Sequence, residues 1–168
     1  MAKATWKPKA GVTWRDKLER EHPSHGRIVE PSPSQARAGI RRVLIPRPLD
    51  VDAIVRRVRK GKLITMEQLR EELARRAGAD ASCPMTTGIF MRIVAEAAEE
   101  DRANGRKRIA PYWRVIRNNG GLNEKFPGAA ASQAKHLRAE GMSILPAKGK
   151  QPPKVKDFDR RLIKLPLS

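Results

Sequence analysis

The chain predicts a mainly α, winged-helix-like domain with a short strand and tight-turn element, flanked by basic tails, and three observations carry that reading. Three stretches between residues 50 and 105 repeat apolar residues at helical spacing. A short extended segment follows them and runs into the tight-turn signal Asn118-Asn119-Gly120-Gly121. The charge is strongly positive throughout: 36 Lys and Arg stand against 18 Asp and Glu, a formal net charge of +18.

The first predicted helix starts at Asp50 as its cap and places Val51, Ile54, Val55 and Val58 on one stripe, with Arg56, Arg57 and Arg59 largely off it. Lys60-Gly61-Lys62 should end it, and Leu63-Ile64 reads as a short strand or an extended link. Thr65 and Gln68 have capping-box spacing for a second helix, which ends near Gly78. A third helix should begin around Pro84–Thr87, with Met85, Ile89, Ile93 and Ala97 sharing a face. It stops at Asn104-Gly105. Its C-terminal half carries Glu96, Glu99, Glu100 and Asp101, so only its N-terminal half suits a phosphate. Val115-Ile116 reads as a strand, residues 130–139 as a fourth helix and 142–145 as an edge segment. Val43-Leu44-Ile45-Pro46 reads as a lead-in strand or a docking segment.

The flanks differ in composition. Residues 1–42 hold 10 Lys and Arg against 4 Asp and Glu, are broken by proline and serine, and contain few apolar residues beyond Trp6 and Trp14. They predict a basic, largely disordered N-terminal arm, with a short helical stretch around residues 14–21. Residues 146–168 hold 7 against 2 and form a Lys/Pro-rich tail, with Phe158, Leu162, Ile163 and Leu165 available for docking. The domain proper spans 43–145.

Several classes fall away. No apolar run approaches the roughly 20 residues of a spanning helix, so no membrane partner is expected. Cys83 is the lone cysteine, which excludes an internal disulfide and suits a reducing, cytoplasmic setting. His22, His25 and His136 are too scattered for a zinc site, so no metal and no cofactor are predicted. A polyanion remains as the partner, because lysine and arginine bind phosphates with release of counterions.

One strip goes further. Pro111-Tyr112-Trp113-Arg114-Val115 resembles the Pro-Cys-His-Arg-Val active-site strip of the alkylguanine-DNA alkyltransferases, with tyrosine for the reactive cysteine and tryptophan for the histidine. Upstream, Lys60-Gly61-Lys62-Leu63-Ile64-Thr65 and Gln68-Leu69 resemble that family's Gly-x-Val-x-Ser/Thr-Tyr segment. Downstream, Gly120-Gly121-Leu122 and Ala139-Glu140-Gly141 resemble its closing Gly-Gly-Leu and Leu-Glu-Gly. The resemblance covers roughly residues 43–145.

It implies a noncatalytic member of that family, which binds double-stranded DNA, recognises alkylated guanine or other damage, and works as a monomer near the nucleoid with excision-repair proteins. A tyrosine hydroxyl, with an ordinary pKa near 10, is a poor nucleophile at neutral pH, and an indole N–H cannot act as a base. Glu140 then stands as the remnant of the activating network. Rebuilding cysteine and histidine at 112 and 113 is expected to restore slow transfer. The DNA- or lesion-binding residues implied are Tyr112, Trp113 and Arg114 in the strip, Thr65 and Met66 before the second helix, and Thr86, Thr87, Gly88 and Arg92 on the third. Gly88 falls where the family has an arginine finger, and Arg92 lies one turn later. Two other readings stay open: a sequence-tolerant nucleoid- or RNA-binding protein, and an enzyme using Cys83, a thiol at a helix start.

Overall fold

The computed structural model describes residues 7–167. Its elements, in order, are α1 (Trp14–Glu19), β1 (Ile28–Val29), α2 (Pro33–Arg37), β2 (Val43–Leu44), α3 (Pro48–Arg57), β3 (Ile64–Thr65), α4 (Met66–Ala77), β4 (Ala81–Ser82), α5 (Pro84–Ala103), β5 (Val115–Ile116), α6 (Ala129–Ala139), β6 (Ile144–Leu145) and β7 (Lys154–Val155). The fold is mainly α, with strands of two residues each. β1 pairs antiparallel with β2, and β2 pairs parallel with β4. β3 pairs parallel with β5, while β6 and β7 form an antiparallel pair.

The 20-residue α5 is the axis of the body, and both α3 and α1 pack along it. Val51, Ile54, Val55 and Val58 of the α3 stripe meet Phe90, Ile93, Val94 and Ala97 in the main core. A second cluster joins Leu63, Ile116, Leu122, Leu137 and Val155, and Trp113 packs against both.

Local chemistry accounts for the boundaries. Thr65 closes the expected capping box on Gln68, and Gly78 ends α4 in the left-handed region at φ +66°. α3 departs from expectation: it starts at Pro48, whose fixed φ suits a first turn, so Asp50 lies inside the helix instead of capping it. The same helix ends at Arg57, and Gly61 (φ +81°) serves the turn that follows. In the turn after β5, the N–H of Gly120 donates to the carbonyl of Arg117. Gly120 alone takes a positive φ there, not an Asn-Gly pair.

The expectation of a largely disordered arm over 1–42 does not hold for its described part; Trp6 lies outside the described residues. Thr13 closes a capping box on Asp16, and α1 docks against the C-terminal half of α5. The Glu100 carboxylate accepts from the backbone N–H groups of Trp14 and Arg15, at 3.0 and 3.2 Å. Arg15 pairs with the buried Asp101, and Leu18 lies in the main core. The acidic stretch of α5 therefore satisfies α1, a pairing that composition alone hides.

The C-terminal segment is also part of the body. Leu63 donates to the carbonyl of Arg161 and accepts from the N–H of Ile163, both at 2.9 Å. Gln68 Nε2 donates to the carbonyl of Ile163. Phe158 and Leu162 pack against the second cluster, and Val155 is buried in it.

Candidate nucleic-acid interface

The residues singled out by sequence fall into two separate places. The strip Tyr112–Arg114 forms a single turn of 3-10 helix, held by Gln133. The buried Gln133 side chain donates to the carbonyls of Trp113 (3.1 Å) and Val115 (2.8 Å) and accepts from the N–H of Asn123. Tyr112 is fully enclosed, at 0% exposure. Its hydroxyl donates to Glu99 Oε1 at 2.7 Å. Burial, reinforced by that carboxylate, pushes its pKa well above the ordinary tyrosine value. As a lesion-binding face, Tyr112 is therefore corrected: its ring packs edge-on against Phe126 and Trp113 and meets no solvent.

Trp113 is half-buried and stacks on His136, ring centroids 4.2 Å apart. Its Nε1 donates to Glu140 Oε1 at 2.9 Å. Arg114 donates to the same carboxylate through Nε and Nη2, at 2.9 and 2.7 Å, and through Nη1 to the carbonyl of Val58. The N–H of Gly61 donates to Glu140 Oε2. Burial alone would raise the Glu140 pKa, but hydrogen bonds from Arg114, Gly61 and Trp113 outweigh it and hold the carboxyl below its ordinary value. His136 is shifted down by burial, with the Arg102 charge adding to the effect, which favours the neutral ring. Glu140 is thus a structural hub joining the strip to the α3–β3 turn. No thiol lies in this cluster, and its one imidazole is stacked against Trp113.

Cys83 is remote from it. Cys83 caps α5, and Glu99, which receives the Tyr112 hydroxyl, lies sixteen residues on, about 24 Å at a helical rise of 1.5 Å per residue. The Cys83 sulfur accepts from Thr86 Oγ1 at 3.2 Å. Thr87 is buried and donates to the carbonyl of Cys83, and Thr65 is spent on its capping box. Neither Thr65 nor Thr87 presents a hydroxyl to a ligand, which corrects both as contact residues.

The second place is a groove of about 620 Å³ along the N-terminal half of α5. Met66, Gly88 and Arg92 line it together, as their assignment to one face requires. Sequence reasoning missed its other walls. Arg117, Asn123 and Lys125 reach it from the segment after β5. The Asn118 side chain fixes that segment by accepting from the N–H of Glu67 at the start of α4. Met85 and Ile89, expected to share a face with Ile93 and Ala97, are 74% and 42% exposed. Only Ile93 and Ala97 of that stripe are buried, while in the first two turns of α5 the buried side chains are Thr87, Phe90 and Met91. The signal available was the offset between that stripe and the one through Phe90 and Val94. A Cβ added at Gly88 meets nothing within 4 Å, so this glycine is not required for packing.

The groove is an apolar floor of Met66, Met85 and Ile89 framed by Arg92, Arg117 and Lys125. Among the described residues, no group of His, Cys, Asp and Glu is placed to hold a metal ion.

No protein-family model matches the chain, and no curated protein matches it. Among solved structures, S. pombe Atl1 in complex with damaged DNA containing O6-carboxymethylguanine is similar, with 19% identity and a TM-score of 0.48. The match covers 70% of this chain and 94% of that one. The likeness concerns the trace of the chain, not the side chains of the site.

Proposed function

We propose that this chain is a noncatalytic DNA-binding protein of the alkyltransferase-like kind, which recognises damaged duplex DNA, alkylated guanine in particular, through the groove beside α5. The observation that carries the reading is the groove's composition: three cations frame exposed Met85 and Ile89. Cations suit phosphates, and apolar side chains presented among them suit unstacked or kinked base steps, where such wedges insert. A damaged base pair is cheaper to open than an intact one, which gives this surface a basis for selectivity.

The noncatalytic part of the reading is supported by the strip. Tyr112 is sealed and its hydroxyl is committed to Glu99, while Glu140 is committed to Arg114 and Trp113. Recognition therefore falls to the α5 groove and not to a pocket lined by Tyr112. Competition between matched duplexes, one carrying a single alkylated guanine, tests this function. Preferential displacement by the lesion duplex is expected, with no mass added to the protein. Equal displacement would leave a damage-indifferent DNA binder, and an alkyl adduct would refute the noncatalytic reading.

A further inference from the structure

A second groove, of about 630 Å³, lies between the end of α3 and the C-terminal segment and shares no lining residue with the first. Its rim is made of Arg56, Arg57, Arg59, Lys62 and Lys164, and no carboxylate lines it. Arg56 is partly neutralised by Asp52, at 2.7 Å. Among the described residues, no ion pair joins Arg59, Lys62 or Lys164 to a carboxylate. All three are exposed.

The groove exists because of how the chain end docks. Leu63 is bonded on both sides by Arg161 and Ile163, which carries Lys164 to the same groove as Arg59 and Lys62. Cations at the end of a helix do complement its dipole, but that effect fades beyond the last turn. Lys62 and Lys164 lie outside α3, so the dipole does not account for them.

Resting on the DNA reading above, we infer that this groove is a second phosphate-binding site, taking the backbone of duplex DNA independently of the α5 face. Its chemistry selects backbone over bases. No aromatic side chain lines it, so it offers no platform on which a base could stack. Its apolar residues serve as a floor: Ile163 and Leu167 pack against the main core and Leu162 against the second cluster.

The test uses the full chain and three variants: Arg59→Ala/Lys62→Ala/Lys164→Ala in the second groove, Arg117→Ala/Lys125→Ala in the first, and Arg37→Ala/Lys148→Ala/Lys150→Ala as a control with three exposed cations removed outside both. Duplex affinity is measured by fluorescence anisotropy across a salt series, with thermal melts to confirm folding. Each lost phosphate contact should reduce the log–log salt slope by about 0.9, so the second-groove variant should lose about 2.7 and the control close to none. An unchanged slope in the second-groove variant, with a reduced slope in the first-groove variant, overturns the second site and leaves the DNA reading standing. An equal drop in the control also overturns it, since the effect would then be diffuse charge. A parent that shows no salt-dependent duplex binding fails the DNA reading itself.

Discussion

Arg114 and Glu140 form a forked ion pair, with Nη2 and Nε of the guanidinium 2.7 and 2.9 Å from Oε1 of the carboxylate. The two side chains are only 13% and 7% exposed. The carboxylate also takes hydrogen bonds from Trp113 and Gly61, so one residue at the end of α6 ties together the strip and the α3–β3 turn. The residue that the resemblance marks as a remnant of catalysis is here a fixed part of the architecture.

Removing one partner should therefore cost stability. Glu140→Leu leaves a largely buried guanidinium uncompensated, and a loss of about 3 kcal/mol is expected. Adding Arg114→Met should recover part of it, because the uncompensated charge is gone. Urea unfolding of the single and double variants checks this; a single variant as stable as the parent would dissolve the hub.

Acid should weaken the fold through the same kind of group. Glu72 is held at about 2 by Arg75, with Arg76 adding to it, and Glu140 is also held below its ordinary value. A carboxyl with a depressed folded-state pKa contributes stability that is complete above its unfolded pKa and lost as pH falls through the folded one. Stability should thus decline from about pH 4.5 toward pH 2, and Glu72→Gln should flatten that decline. Chemical denaturation across this range measures it.

The N-terminal segment should behave as core. Leu18→Ala is expected to cost about 2–4 kcal/mol, as for a buried leucine elsewhere. Deleting residues 1–42 should lower the melting temperature sharply, since it removes Leu18 and the Arg15–Asp101 pair. A truncated chain that melts like the parent would contradict the docking of α1.

Rebuilding the cysteine–histidine pair is a sharper test of the strip. The resemblance leads to the expectation of slow alkyl transfer from Tyr112→Cys/Trp113→His. The geometry reverses it: position 112 is enclosed, and Glu140 is engaged by Arg114. No adduct should appear by intact-protein mass after incubation with alkylguanine DNA, although the protein remains folded.

Much of this was readable in the residues. The α4 capping box, the Gly78 stop, α5 and the Val115-Ile116 strand are set by local chemistry, so short windows of sequence reveal them. The docking of α1 was not readable, because it depends on Glu100 and Asp101 meeting Trp14 and Arg15 some 85 residues away in sequence. The site divided the same way. Met66, Gly88 and Arg92 follow from the order of motifs, whereas Arg117 and Lys125 reach the groove only through the fold after β5. The resemblance marks Tyr112 as a lesion contact, and only the fold, which encloses its ring and brings its hydroxyl to Glu99, assigns it to the core.

Exposed Met85 and Ile89 should matter more for distorted DNA than for intact duplex. Met85→Ala/Ile89→Ala should lose affinity for a duplex with a mismatch or alkylated guanine several-fold more than for a matched one. Fluorescence of 2-aminopurine beside the lesion, which rises on unstacking, reports the same step. An equal loss on both duplexes would assign these side chains to general contact only.

The most direct test of the α5 groove as the DNA-binding face is Gly88→Arg measured beside Arg92→Ala for duplex affinity. A side chain at 88 has open space, so the arginine variant should fold at least as well as the parent, with up to about 1 kcal/mol gained from replacing a mid-helix glycine. The account predicts tighter binding for Gly88→Arg and weaker binding for Arg92→Ala, with both proteins folded by thermal melt. Two folded variants that bind duplex DNA as the parent does would contradict it.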